Sequence, residues 1–290
     1  MKQLTIISGK GGTGKTTITA AFAALAQNKV MADGDVDAAD LHLILNPDIN
    51  KEEEFYGGRA PVMDKSKCDE CGICIDVCRF DAIHDYIIDP ISCEGCALCV
   101  HACPNDAIEM EEHLSGHWFI SDTRFGPMVY AKLGIAEENS GKLVTLVRNQ
   151  ARLIGEEDGK DLIIIDGPPG IGCPVIAAIT GVNLVLVVTE PTLSGIHDLE
   201  RVLGVAKHFN IPGMVCINKY DINLENARKI KDYCKDNNIE VIGEIPFNTT
   251  ITRAMVAGKT IVEFDPGIIT DILKDMWKKV EMRLEDGVKE

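Results

Sequence analysis

The sequence predicts an α/β fold: a mostly parallel sheet with helices on both faces, interrupted by a small inserted α+β domain. Three observations carry that prediction. Continuous apolar runs of strand length, Leu162–Asp166, Leu184–Val188 and Met214–Asn218, each precede a segment of helical length. Strands without polar alternation are buried on both faces, as in parallel sheets covered by helices. A glycine-rich turn, Gly9–Thr16, joins a short apolar strand to an alanine-rich helix. Finally, eight of the eleven cysteines fall between Cys68 and Cys103, in two copies of one spacing. The expected division is residues 1–60 for the first part of the sheet domain, 61–112 for the insert and 113–290 for the second part.

In chain order, Leu4–Ser8 reads as the first strand, Thr17–Ala26 as the first helix and Val30–Asp33 as the second strand, which runs into the acidic stretch Asp33–Asp40. Residues 46–66 combine Pro, Gly and charge and read as a linker. The cysteine repeat occupies roughly 64–112, followed by a strand-like run, His117–Thr123, and a helical one, Leu143–Ile154. The helices expected after the three apolar strands are Cys173–Thr180, Ser194–Phe209 and Leu224–Asn237, and Val241–Ile245 is a last strand. Gly267–Leu284 sets Ile269, Leu273, Met276, Trp277 and Val280 on one helical stripe. Its polar face mixes both signs of charge, which favours docking on the sheet over lying on a membrane.

The chain has 290 residues, 46% of them hydrophobic, and a formal net charge of -16. That charge argues against binding to nucleic-acid phosphates or to an anionic membrane surface. No apolar run approaches the ~20 residues that span a bilayer. The N-terminus runs as a strand into a loop and lacks the pattern of a signal peptide. The expectation is a cytoplasmic protein with no nucleic-acid partner and no stable membrane insertion. In that compartment thiols stay reduced and serve metals rather than disulfides.

Residues 9–16 read GKGGTGKT between a strand and a helix, which fits the phosphate-binding template G-x4-G-K-[ST]. Gly9, Gly11, Gly12 and Gly14, with Thr13, let backbone N–H groups approach phosphate oxygens, and the helix N-terminus adds a favourable dipole. Lys15 is expected to reach the β- and γ-phosphates of ATP or ADP and Thr16 to ligate Mg2+. Thr17 adds a hydroxyl towards the α-phosphate.

A second lysine near the start of this loop, Lys10, resembles the deviant Walker A signature of MinD/ParA-type P-loop ATPases, and the resemblance extends over almost the whole chain. It implies that Lys10 reaches across a dimer interface to the partner's phosphates. It further implies that Asp35, in Asp33-Gly34-Asp35, orients the attacking water. Asp166, in Asp166-Gly167-Pro168-Pro169-Gly170, would hold magnesium through water, with the Gly170 amide meeting the γ-phosphate. Asn218 would bond the adenine and Pro246-Phe247 flank it. Ser140–Val144 and Gly170–Val175 are similar to one branch of that group. Lys142 reads either as a partner contact or as an exposed helix charge.

The cysteines Cys68, Cys71, Cys74, Cys78 and Cys93, Cys96, Cys99, Cys103 repeat C-x2-C-x2-C-x3-C at an offset of 25 residues, and Asp-Ala-Ile follows each copy at Asp81 and Asp106. This spacing predicts two 4Fe-4S clusters, with zinc as the lesser alternative. The segment resembles a bacterial-type ferredoxin, which implies crossed ligation: Cys68, Cys71, Cys74 and Cys103 for one cluster, Cys93, Cys96, Cys99 and Cys78 for the other. Pro104 follows Cys103 as in that pattern, but Arg79 follows Cys78; it either tunes a cluster or is simply exposed. Cys216 and Cys234 read as packing residues. Cys173 reads as structural, or as a further ligand in a dimer.

The main expectation is thus a dimeric ATPase, a homodimer or a heterodimer with a similar ATPase. It would couple ATP to electron transfer or cluster delivery to a redox or apo iron–sulfur partner protein. The alternatives are an iron–sulfur scaffold or carrier gated by ATP, or a MinD-like regulatory or spatial switch. A basic amphipathic C-terminal anchor would favour the switch, and Leu284–Glu290 is acidic instead.

Overall fold

The computed structural model describes residues 1–134 and 140–286. The last four residues of the acidic C-terminal stretch therefore lie outside the described residues. The chain divides into two compact units, Met1–Glu53 with Trp118–Lys132 and Ser140–Glu290, and Glu54–His117 with Leu133–Asn139.

The strands are β1 (Lys2–Ser8), β2 (Lys29–Asp33), β3 (Asp48–Met63), β4 (Ile83–His84), β5 (Ile87–Ile88), β6 (Ile108–Thr123), β7 (Gly126–Leu133), β8 (Leu162–Pro169), β9 (Leu184–Thr189), β10 (Gly213–Asn218) and β11 (Glu240–Ile245). The helices are α1 (Lys15–Leu25), α2 (Leu41–Leu45), α3 (Ile73–Val77), α4 (Leu98–Ala102), α5 (Ser140–Glu157), α6 (Cys173–Ile179), α7 (Leu193–His208), α8 (Leu224–Asp236), α9 (Thr249–Val256), α10 (Ile261–Phe264) and α11 (Ile268–Asp286).

In the larger unit the sheet order is β11-β10-β9-β1-β8-β2-β7-β6-β3; residues 48–53 of β3 and 118–123 of β6 belong to this unit. β1 lies between β8 and β9, parallel to both, with Leu4 opposite Ile164 on one side and Leu184 on the other. β2 runs parallel to β8, which sets Asp33 opposite Asp166. Alternation along each strand sends side chains to opposite faces. On one face Leu4, Ile6, Ile164 and Leu186 pack with Ile18 and Phe22 of α1 and with Leu273 and Trp277 of α11. The Phe22 and Trp277 rings meet at 5.1 Å. The intervening Thr5 faces the other way, and its hydroxyl donates to the Ala178 carbonyl on α6 at 3.0 Å. The Gly267–Leu284 stripe therefore docks on the sheet, and Cys216 and Cys234 are buried packing residues.

The parallel sheet with helices on both faces is thus present. The expected linker 46–66 is instead largely strand β3. Its Gly57, Gly58 and Pro61 and the charged run Lys51–Glu54 lower local strand propensity, but β3 ends the sheet order. An edge position tolerates proline and charge, and pairing overrides propensity there. β7, α9 and α10 have no counterpart in the sequence pattern. Each is short and made by tertiary packing, as when Arg124, between β6 and β7, grips Glu263 on α10 at 2.7 Å and the Leu45 carbonyl at 2.7 Å.

The smaller unit repeats itself at the 25-residue offset. α3 and α4 are each entered through a left-handed residue, Gly72 (φ 82) and Ala97 (φ 60). After each, a cysteine sulfur accepts a backbone N–H: Ala82 to Cys78 Sγ at 3.4 Å and Ala107 to Cys103 Sγ at 3.3 Å. β4 and β5 form an antiparallel hairpin. The unit's buried apolar cluster is Cys74, Ile83, Cys99 and Ile108.

The iron–sulfur expectation is corrected at this point. Among the described residues, no group of three or more His, Cys, Asp or Glu side chains is placed to hold a metal ion. Cys68, Cys71, Cys74 and Cys103 border one small cavity, but their environments differ. Cys71 and Cys96 are exposed, Cys68, Cys78, Cys93 and Cys103 half-buried, and Cys74 and Cys99 buried. Burial pushes the Cys74 and Cys99 thiols up, favouring the protonated form where a metal ligand is a thiolate. The two 4Fe-4S clusters, the two-cluster ferredoxin-like insert, electron transfer and cluster delivery or carriage are accordingly withdrawn. Spacing established a structural repeat; it did not establish a metal centre.

Candidate functional site

The C-terminal ends of β1, β2, β8, β9 and β10 carry the residues singled out around the glycine-rich loop. Ligands of open α/β sheets bind at these strand ends. The loop after β1 turns through Gly12 (φ 77) and Gly14 (φ 95) before α1 starts at Lys15. A side chain at Gly14 would need a left-handed conformation and would place its Cβ 2.4 Å from Asn218 Nδ2. The loop is therefore held close to the end of β10, where Asn218 Nδ2 donates to the Thr13 carbonyl at 2.7 Å. Gly9 is equally constrained, since a Cβ there would meet Asp198 of α7 at 2.2 Å.

Lys15 is 4% exposed, and its Nζ lies 3.6 Å from Asp35 Oδ2. Burial raises the Asp35 carboxyl to about 6, against the pull of Lys15, with Asp166 and Asp37 adding to the rise. Asp166 is fully buried; Thr19 Oγ1 donates to its Oδ1 at 2.9 Å. Burial pushes its carboxyl up, and Lys15, Thr16 and Thr19 pull it back. Its other oxygen, Oδ2, is buried with no hydrogen-bond partner, as is Thr13 Oγ1. Asp33 is also buried, and burial followed by the facing Asp166 carboxylate raises its carboxyl well above the usual range. Its two oxygens accept the N–H groups of Asp35 at 3.2 Å and Leu41 at 3.1 Å, so it clamps both ends of the acidic loop.

A cavity of about 460 Å³ opens from this loop, bordered by Lys15, Thr16, Asp35, Asn218, Pro246 and Phe247. These residues fit a Mg-nucleotide. Positions 11 and 12 have open space where a Cβ would stand, so phosphate can approach the backbone. The orphaned Thr13 hydroxyl offers a donor to phosphate. The orphaned Asp166 oxygen, beside Thr16, suits a hydrated Mg2+, which needs only one or two protein ligands.

The expected residues are placed as follows. Gly11, Gly12, Gly14, Lys15, Thr16, Thr17, Asp35, Asn218 and Pro246 line the cavity. Gly170 (φ 94) sits at the end of β8, and its N–H donates to the Ser8 carbonyl at 2.8 Å, so here it ties the loop rather than facing the cavity. Asn218 also differs from expectation: its Nδ2 holds Thr13, and its Oδ1 accepts the Lys219 N–H at 3.0 Å. Lys10 does not line its own cavity. Its Nζ lies 3.5 Å from Glu190 Oε2 and 3.4 Å from Thr192 Oγ1. Cys173 is exposed at the first turn of α6, and Arg79 stands over the Phe80 ring at 5.8 Å. Lys142 lies on α5.

Thr19 and Glu190 carry part of the geometry without having been singled out from sequence, and Asp33 has a larger part than its motif suggested. Thr19 is four residues from Lys15 and so shares its helix face. Glu190 follows an apolar strand, as Asp166 does, and that position is the available signal.

The fold and site thus define a P-loop nucleotide-hydrolysing protein with a second lysine in its phosphate loop. Residues 4–261 match the family described as CbiA: CobQ/CobB/MinD/ParA nucleotide binding domain, and the chain belongs to it. It is an ATP hydrolase of that family. It is 34% identical over 283 residues to an uncharacterized protein of Methanocaldococcus jannaschii, covering 96% of each chain. Among solved structures it is similar to the septum site-determining protein MinD complexed with Mg-ADP from Pyrococcus horikoshii, at 20% identity and TM-score 0.58, covering 100% of this chain and 99% of that one. It is also similar to a chain of the MinC:MinD cell division protein complex of Aquifex aeolicus, at 18% identity and TM-score 0.59, covering 97% and 96%. These two likenesses show the fold alone. Among the described residues no helix is long and apolar enough to cross a membrane.

Proposed function

We propose that this chain is an ATP-driven regulatory or spatial switch of the MinD/ParA kind. ATP draws two copies together, or one copy and a similar ATPase, and hydrolysis releases them, so that the two states present different surfaces to a partner. One observation carries this reading. Lys15 is buried in the cavity wall, while Lys10, five residues earlier in the same loop, points out of its own cavity and is half-exposed. A cation held beside the loop but outside the cavity supports a role on a neighbour's phosphates.

In this reading Lys15 and the loop amides bind and orient the phosphates, and the helix dipole of α1 adds to them. Magnesium, held through Asp166 and Thr16, would supply charge neutralisation at the phosphates. Asp35, ionised above pH 6, orients a water for attack and accepts its proton. Asn218 fixes the loop from behind, and Pro246 and Phe247 border the space left for the base. Lys10 of one copy would complete the charge stabilisation in the other, a contribution of the size of a finger supplied in trans.

Turnover of Lys10→Ala and Asp35→Ala tests this. Both should fall steeply, Lys10→Ala by on the order of 10³-fold if it acts as such a finger. Wild-type turnover in both variants would remove the reading.

A further inference from the structure

The contacts that hold Lys10 in one copy point to a second role for the end of β9. Glu190 follows β9 and is nearly buried, with its side chain 11% exposed. Each of its oxygens has its own lysine: Lys219 Nζ lies 2.6 Å from Oε1, and Lys10 Nζ lies 3.5 Å from Oε2. The two contacts are unequal. The Lys219 pair is short, as charge-assisted bonds are, and Lys219 is fixed at its base by a left-handed backbone (φ 53) and by its N–H bond to Asn218. The Lys10 pair is long, and Thr192 Oγ1, its other neighbour at 3.4 Å, already accepts from the Gly195 N–H.

A nearly buried carboxylate that loses its only cation is strongly destabilised. Glu190 does not face that cost, because Lys219 stays when Lys10 departs. Building on the reading of Lys10 as a group supplied in trans, we propose that Glu190 is a cis competitor that holds Lys10 until a second copy offers its phosphates. Lys219 is the counter-ion that makes its release cheap. The three side chains together set the concentration at which two copies assemble on ATP. Glu190 and Lys219 are positioning residues: they act on the nucleotide of the neighbouring copy only through Lys10, although Lys219 also borders the cavity of its own copy, so assembly is read at saturating Mg-ATP. The Asn218-Lys219 dipeptide also joins this network to the loop, since Asn218 holds Thr13.

The experiment is sedimentation velocity of the full chain in Mg-ATP, in an Asp35→Asn background to slow turnover, over a range of chain concentrations. Releasing a partly exposed ion pair changes an equilibrium roughly two- to fivefold, and a two-fold assembly uses Lys10 twice. Glu190→Gln should therefore lower the concentration for half-assembly by roughly 4- to 25-fold. Lys219→Met should raise it, because Glu190 then has Lys10 alone. Lys10→Ala should raise it and also cancel the effect of Glu190→Gln in the double variant, a coupling that a merely structural role of Glu190 would not give. Unchanged or weaker assembly of Glu190→Gln overturns the proposal, as does the same strengthening in the presence and absence of Lys10. The underlying trans reading fails separately, if Lys10→Ala alone assembles and turns over as the parent does.

Discussion

The two units of this chain are held together by different means. The larger one stacks continuous apolar strands between two helical layers, and both faces of β1, β8 and β9 are covered. The smaller one has two five-residue helices, a hairpin of two-residue strands and a small apolar cluster around Cys74, Ile83, Cys99 and Ile108. It also spends much of its backbone in left-handed turns: Glu70, Asp81, Asp85, Tyr86, Ala97 and Asp106 all have positive φ without being glycine. Such residues cost free energy and persist only where the surroundings fix them. The difference teaches where precision resides. Strand ends on a deep core hold charged groups such as Asp33 and Asp166 in defined hydrogen bonds. Thin cores of short elements repeat a loop shape while leaving its thiols in unlike environments.

The contrast can be broken most sharply in the larger unit. Lys15→Gln should lower ATP turnover by on the order of 10²–10³-fold while leaving the melting temperature near that of the parent, since phosphate stabilisation is the group's task. The next effect is in pH. Because burial sets the Asp35 carboxyl at about 6, kcat/KM should fall tenfold per pH unit below that value. The sign for stability is opposite. A carboxyl raised on folding adds stability that is full below its unfolded value, 3.8, and is lost as pH rises towards about 6. An acid limb centred near the ordinary carboxylate value would contradict the burial argument.

Smaller effects come from the ties between elements. Arg124→Met removes the bidentate grip on Glu263 and the bonds to the Ile44, Leu45 and Gly258 carbonyls. It should lower stability by about 1–3 kcal/mol in denaturant unfolding, with turnover retained. The smallest and most local test falls on the smaller unit. In the native protein Cys71 and Cys96 should react rapidly with a thiol reagent, while Cys74, Cys99 and Cys216 react only on unfolding. Native protection of all eight repeat cysteines would overturn the metal-free description.

What could be read from the chain follows the same division. The glycine loop, Lys15, Thr16 and the apolar strands are local features, in which a few consecutive residues determine both shape and chemistry. The pairing of Lys10 with Glu190 and the hold of Asn218 on Thr13 depend on strand order, whereas the clamp of Asp33 on Leu41 depends on the fold of the acidic loop. β9 must lie beside β1, and β10 beside β9, before Lys10 can meet Glu190 and Asn218 can meet Thr13. β3 was hidden because its charges and its proline are tolerated only at an edge, and edges are assigned by topology. The cysteine repeat was legible as a repeat down to its Asp-Ala-Ile ends, while its left-handed entries at Gly72 and Ala97 were not. The convergence of eight sulfurs is a tertiary property, and spacing alone overstated it.

The central claim is that ATP, and not ADP, brings two copies of this chain together through a loop whose second lysine serves the neighbour. The direct measurement is the sedimentation coefficient of Asp35→Asn with saturating Mg-ATP and with saturating Mg-ADP. The account predicts a two-subunit species in ATP and a single chain in ADP, with Lys10→Ala abolishing the difference. The same species in both nucleotides, or a nucleotide-dependent assembly indifferent to Lys10, would contradict it.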